Sequence, residues 1–316
     1  MNWMINQEER IMKAKHIIIP VMAVLFSACV KDPIPEEIVD PTEEKTSPTE
    51  VVYTFSIEAS KGESDTKALD LVNDGSRLNV YWRNTEKVKV YKGGTLLGTL
   101  DVTPSDGEKT THATISGDIT TTSGLAENDE LTLLIPRETW DYTGQNGLLT
   151  GENSIEEKYA YATAIVNVTG ISGNAVSTTS AHFTNVESIY RFGFKLGDNY
   201  IDPKSFTVSA AGGKLVQTMS WVGSEWTPAY GSISVTSAAA PADHFFYVSI
   251  RNDQTTDDTY NFVITGSDDA LYMASKNIPA SVLNVTGKFI SAKSITTTKP
   301  NFAATSGDIS NPSEVL

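Results

Sequence analysis

The sequence predicts an all-β protein built from sandwiches. Apolar and polar residues alternate in short runs, turn sequences punctuate those runs, and no window of ten or more residues carries the 3.6-residue period of a helix. Serine and threonine are abundant, as suits strands with one wet face.

The first run is Val51–Ala59, where Val51, Tyr53, Phe55, Ile57 and Ala59 alternate with Val52, Thr54, Ser56 and Glu58. That is the pattern of a strand burying one face. Similar runs follow at Lys87–Tyr91, Leu131–Ile135, Ala160–Val168, Tyr190–Leu196, Ser205–Ala210, His244–Ile250, Tyr260–Thr265 and Lys288–Ile295. Arg83 falls inside a further predicted strand. Asn73-Asp74-Gly75, Gly93-Gly94, Ser105-Asp106-Gly107, Gln145-Asn146-Gly147 and Gly212-Gly213 supply the turns. Ile171–Ser180 is polar and turn-rich, and a strong strand begins near Ser188, so two domains are expected, at 51–185 and 186–316. The second ends in a polar tail from Thr297, with Pro300 and Pro312. No fixed-period repeat is visible, which argues against solenoids and propellers.

The amino-terminal region reads as an anchor. Lys13 and Lys15 precede an apolar run, Ile17–Ala28, and Phe26-Ser27-Ala28-Cys29 ends in the chain's one cysteine. This is a lipoprotein signal, in which the Cys29 thiol receives the lipid and residues 1–28 are removed. Met12 is the better start of such a signal. Pro20 breaks the apolar run, which is well short of the ~20 residues a spanning helix needs. Residues 29–50 form an acidic, proline-rich tether, with Pro33, Pro35, Pro41 and Pro48 among seven Asp and Glu residues. Lys31-Asp32, directly after the cysteine, resembles the short signals that send some lipoproteins to the cell surface.

Residues 1–28 carry Arg10, Lys13 and Lys15 against Glu8 and Glu9, so their removal takes the net charge from −15 to −16. Such a chain is repelled by nucleic acid and by anionic membrane surfaces. With Cys29 lipidated no thiol remains for a disulfide, and stability must come from hydrophobic cores.

The residues point to no catalytic motif, metal or cofactor. His112, His182 and His244 lack ligand spacing, and there is no HExxH, Gly-x-Ser-x-Gly, phosphate loop or dinucleotide fingerprint. Asp253, Asp257, Asp258, Asp268 and Asp269 lack the order of a calcium loop and read as solvated turns. Glu138, Asp141, Glu152, Glu156 and Glu157 could supply the paired carboxylates of a glycosidase, but any acidic β-protein offers such a group. Two aromatic groups could stack on a glycan or anchor a partner: Trp221, Trp226 and Tyr230 around the predicted hairpin tip Gly223-Ser224-Glu225, and Trp140 with Tyr142 beside the 144–147 turn.

Several stretches, in order, resemble the fimbrillin family of type V pilus subunits. Thr66-Lys67-Ala68, then Trp82, Glu86, Val88, Val90 and Tyr91, is similar to its Thr-Lys segment and Trp-x-x-x-acid strand. Tyr142–Leu148 followed by Tyr159-Ala160-Tyr161-Ala162 resembles its Gln-x-Gly turn and succeeding strand. Phe183-Thr184-Asn185-Val186 with Ser188–Phe192 resembles the entry to its second domain, and Asn284–Phe289 its last-strand region. The resemblance implies two transthyretin-like β-sandwich domains in tandem and assembly with other pilus subunits by β-strand exchange. It also implies an outer-membrane lipoprotein exposed at the cell surface, with a host protein or glycan as the adhesive target. In such pilins a trypsin-like protease removes the first strand and a neighbour's strand refills the groove. Here that strand is Val51–Ala59, with Val51, Tyr53, Phe55 and Ile57 as its apolar set, and burial is worth about 1.5–3 kcal/mol per such side chain. Arg77 is the expected cleavage point, with Lys61 and Lys67 as alternatives. The tail beyond Ile295 alternates poorly for a donor strand, which favours a tip or accessory subunit over a shaft subunit. The competing reading is a surface glycan-binding lipoprotein using the two aromatic groups.

Overall fold

The computed structural model describes residues 49–61, 67–71, 78–107, 110–135, 139–222, 224–237, 241–283, 286–291 and 294–300. Its first strand, β1 (Val51–Lys61), buries Tyr53, Phe55, Ile57 and Ala59 and exposes the alternating Thr54, Ser56 and Glu58. After it come β2 (Lys67–Leu71) and β3 (Leu78–Asn79), which pair with each other, then β4 (Lys87–Lys92), β5 (Thr95–Pro104), β6 (His112–Thr121), β7 (Glu130–Ile135) and β8 (Thr139–Asp141). A short π-helix, Ile155–Tyr159, leads to β9 (Ala162–Ser172), β10 (Ala175–Thr178) and β11 (Ala181–Asn185). Arg83 lies in the turn before β4, not in a strand. The backbone reverses there, and the Arg83 amide donates to the Glu86 carboxylate at 2.9 Å.

The hydrogen bonding of the first eight-stranded sheet closes on itself. From β1 it runs through β6, β5, β4, β7 and β9 to a lane shared by β10 and β11, which returns to β1. β1 is antiparallel to β6 from Val51↔Thr121 to Ser60↔His112. On its other edge it is parallel to β10 at Thr54↔Ala175 and to β11 from Ala59↔Ala181 to Lys61↔Phe183. Inside, Phe55 and Ile57 meet Val88, Val90, Leu133 and Val166, while Trp82 stands edge-on to Phe183 with centroids 5.3 Å apart.

The second half begins with β12 (Ser188–Phe192), β13 (Phe194–Leu196), β14 (Asn199–Ile201) and β15 (Pro203–Ala210). It continues through β16 (Val216–Val222), β17 (Glu225–Tyr230), β18 (Ile233–Thr236), β19 (Phe246–Ile250), β20 (Asp258–Gly266) and β21 (Leu271–Ile278). A four-residue helix, α1 (Ala280–Leu283), precedes β22 (Phe289–Ser291) and β23 (Ile295–Thr296). The predicted strand 190–196 is divided at Gly193, where a Cβ would stand 2.6 Å from the His244 carbonyl oxygen pressed against it. The predicted strand 288–295 covers β22 and the start of β23. The opening lane is again antiparallel to a middle strand (β12 to β19) and parallel to the last ones (β12 to β22, β13 to β23), as β1 is. β18-β15-β20-β21 forms a separate antiparallel sheet. Phe192, Phe194, Phe206 and Phe262 meet edge-to-face with centroids 5.1–5.7 Å apart, a favoured arrangement of ring quadrupoles.

Residues 139–161 join the two cores. Trp140, Tyr142 and Tyr161 precede β12 in the chain yet belong to the second core. β8 extends the β16–β17 hairpin through Thr218↔Asp141, Met219↔Trp140 and Ser220↔Thr139. Beyond it, Gln145 lies between β18 and β19. Its carbonyl accepts from the Thr236 amide, and its side-chain amide bonds Ser249 in both senses at 2.8 Å, as a strand backbone would. Gly147, at φ +78°, passes so close to Phe246 that a Cβ would stand 2.6 Å from the ring, and its carbonyl accepts from the Tyr247 amide.

Phe55→Ala should lower unfolding stability by about 3–5 kcal/mol and Ile57→Ala by about 2–5 kcal/mol, whereas Ser56→Ala should stay within about 0.5 kcal/mol. Urea titration of the three variants checks this. Burial raises the Tyr260 phenol to about 12 and the Tyr190 phenol further. Both stay protonated in the fold after an unfolded tyrosine ionises near pH ~10. Their stabilisation is thus complete below that pH and is lost as pH rises through the folded values. Urea midpoints from pH 9 to 11 should fall, and fall less steeply in Tyr260→Phe.

Candidate functional site

The β1 lane is the site the geometry defines. Its neighbours, β6 on one side and β10 with β11 on the other, present backbone groups that β1 satisfies. Its inward side chains descend in size from Tyr53 and Phe55 through Ile57 to Ala59, and each fills the core of the first sandwich. The Tyr53 hydroxyl accepts from the Leu125 amide at 3.0 Å.

The lane ends on a charge. Lys61, the last residue of β1, is 4% exposed. Its ammonium donates to Glu86 and lies 4.1 Å above the centre of the Trp82 ring, with the Tyr81 carbonyl at 3.5 Å. Burial pushes its pKa down, and the Glu86 carboxylate opposes that shift. The second carboxylate oxygen of Glu86 is held by the Arg83 amide. A cleft of about 750 Å³ opens beside the pair, with Arg83, Thr103, Glu156 and Asn185 on its walls.

This placement removes Lys61 as an accessible cleavage point, since a protease cannot read a buried, ion-paired side chain. The sequence signalled nothing of it, because a lysine at a strand end ordinarily reaches water. Lys67 opens β2, while Cys29 and Arg77 lie outside the described residues, as do the rest of residues 1–48 and residues 301–316. Val51, at the mouth of the lane, is 37% exposed.

The two aromatic groups, which could equally stack on a glycan or pack into the end of a sandwich, lie largely in packing contacts. Trp140 and Tyr142 are fully buried, because β8 adds to β16 and turns the predicted loop into core. Trp226 lies against Trp140 with centroids 3.5 Å apart, and Trp221 stands edge-on to Tyr91 of the first sandwich at 6.1 Å. Tyr230 is exposed, but the Lys214 ammonium sits 4.5 Å above its ring and its hydroxyl bonds Asp253.

Most of the acidic side chains named above have local partners, and Glu152 is exposed. Asp141 accepts from Thr143, Glu157 from the Asn153 amide, and Glu156 faces Arg83 at 3.9 Å; Glu138 lies outside the described residues. Asp253 pairs with Arg251, Asp257 accepts from the Ala280 amide, Asp258 from the Gly212 amide, Asp268 from the Tyr272 hydroxyl and Asp269 from Lys204. Among the described residues no three potential metal ligands converge, and no helix is long and apolar enough to cross a membrane.

No family model and no curated protein matches the chain. Among solved structures it is similar to a putative cell adhesion protein from Bacteroides uniformis, at 12% identity and TM-score 0.40, over 78% of this chain and 98% of that one. It is also similar to a fimbrial assembly protein from Parabacteroides distasonis, at 9% identity and TM-score 0.38, over 78% and 92%. A third is the tip fimbrial protein Mfa3 from Porphyromonas gingivalis, at 8% identity and TM-score 0.36, over 71% and 81%. At these values the likeness is remote.

Removing one member of a buried ion pair costs far more than replacing both members by apolar bulk. Glu86→Gln, which strands the lysine, should destabilise the protein by about 3 kcal/mol, and the double variant Lys61→Met/Glu86→Leu, which removes both charges, should cost less than half of that. Differential scanning calorimetry of both variants at neutral pH checks the ordering.

Proposed function

We propose that this protein is a non-enzymatic, surface-anchored pilus subunit that assembles by β-strand exchange in the β1 lane. One observation carries the reading. β1 closes the first sandwich by pairing along both edges, so its departure would leave two unpaired backbone edges flanking a row of apolar pockets. A strand from another subunit satisfies both edges and pockets together, which is β-augmentation. The fimbrillin-like motifs support the same reading, with two transthyretin-like sandwiches in tandem at 51–185 and 186–316. The recurrence of a first lane parallel to the last in both halves fits that arrangement.

In this proposal residues 1–28 are the signal, Cys29 carries the lipid in the outer membrane, and residues 29–50 hold the sandwiches away from it. Cleavage falls after Arg77. A cut there frees β1 while leaving Leu78, Val80 and Trp82, all buried, with the body of the protein. The poor alternation of residues 301–316 favours a tip or accessory position, which accepts a strand without needing to donate one.

Intact mass of protein taken from its native cell surface tests this. A species beginning at Leu78 is expected. A lipidated species beginning at Cys29, with β1 attached and no higher assembly, would overturn strand exchange.

A further inference from the structure

The pocket at the end of the β1 lane specifies more than apolar pattern. Tyr53, Phe55, Ile57 and Ala59 occupy cavities that many alternating strands could fill, since apolar burial is not directional. The fifth inward position is different. There a carboxylate (Glu86), a backbone carbonyl (Tyr81) and an aromatic face (Trp82) all point at one cation. The Arg83 amide fixes the carboxylate in place, so it cannot swing away to water when the lane is vacant of Lys61. The Glu86 side chain is only 17% exposed. A strand that brought an apolar or acidic residue there would strand that charge.

Resting on the strand-exchange reading, we infer that the incoming strand carries, at alternate positions, two aromatic or large apolar residues, an aliphatic residue, a small residue and then a lysine or arginine. The adjoining cleft has room for the longer guanidinium. We further exclude residues 301–316 of a second copy as that strand. That stretch contains no lysine or arginine, and its Phe302 and Ile309 stand seven residues apart where the lane requires every second residue. The lane is thus selective for a strand that ends on a cation.

The test uses the full mature chain with residues 72–77 replaced by a specific protease sequence and nicked there, so that β1 stays bound but is exchangeable. Fluorescein-labelled peptides compete for the lane: residues 51–61, the same peptide with Lys61→Glu, and residues 301–316. The native peptide should exchange in and be retained, and the Lys61→Glu peptide should be retained roughly tenfold more weakly or worse. In a Glu86→Lys chain that preference should reverse. Equal retention of both peptides in both chains would overturn the charge selection while leaving strand exchange standing. Retention of the 301–316 peptide as strong as that of the native one would overturn the exclusion of that stretch. Failure of even the native peptide to exchange would defeat the strand-exchange reading itself, and this inference with it.

Discussion

The first sandwich depends on one strand being paired twice. β1 bonds β6 along one edge and the β10–β11 lane along the other, and its inward side chains close the core beneath. An exposed strand edge invites another chain to add to it, and here β1 covers two such edges at once. The burial of four side chains and the satisfaction of two backbone edges are therefore coupled in a single segment. That coupling makes the segment a stabilising element and, in the strand-exchange proposal, the point of exchange. The parallel pairing of first and last lanes matters for the same reason. It brings the beginning and end of the sandwich, more than a hundred residues apart in the chain, into direct contact.

A second constraint keeps the two halves together. Trp140, Tyr142 and Tyr161 are inserted into the second core from a segment that lies before it in the chain, and β8 extends a hairpin of that half. Gln145 completes the join by pairing through its side-chain amide where no strand backbone is available. Buried amides left without such partners are costly, so this residue type suits the gap between β18 and β19. The same segment explains why aromatic rings that look like loop ornaments in the sequence are enclosed.

How much was legible varied with the physics of each residue. Val51–Ala59 was plain, because strict alternation of large apolar and polar residues has one structural reading. β5 and β6 went unrecognised. Thr95–Pro104 and His112–Thr121 mix threonine, glycine and aspartate into strands whose inward rows are interrupted, between Leu97 and Leu100 in one and between Ile115 and Ile119 in the other. Arg83 was misplaced, because Trp82 and Val80 look like the alternation of a strand while the backbone turns to meet Glu86. Lys61 was read as accessible because lysine at a strand end usually is, and only its meeting with Glu86 and Trp82 accounts for its burial.

By itself, then, the sequence determined the all-β class, the first strand and its inward face, because side-chain alternation along a pleated backbone is a local property. The acidic charge is likewise written in composition. Only the tertiary structure decided that β1 is paired on both sides, that Trp140 and Tyr142 are core, and that a lysine and a glutamate share a nearly dry site at the end of the lane. Each of these depends on which distant segments come to lie side by side, and pairing across a closed sheet is set by the packing of the whole sandwich, which no local window of residues contains.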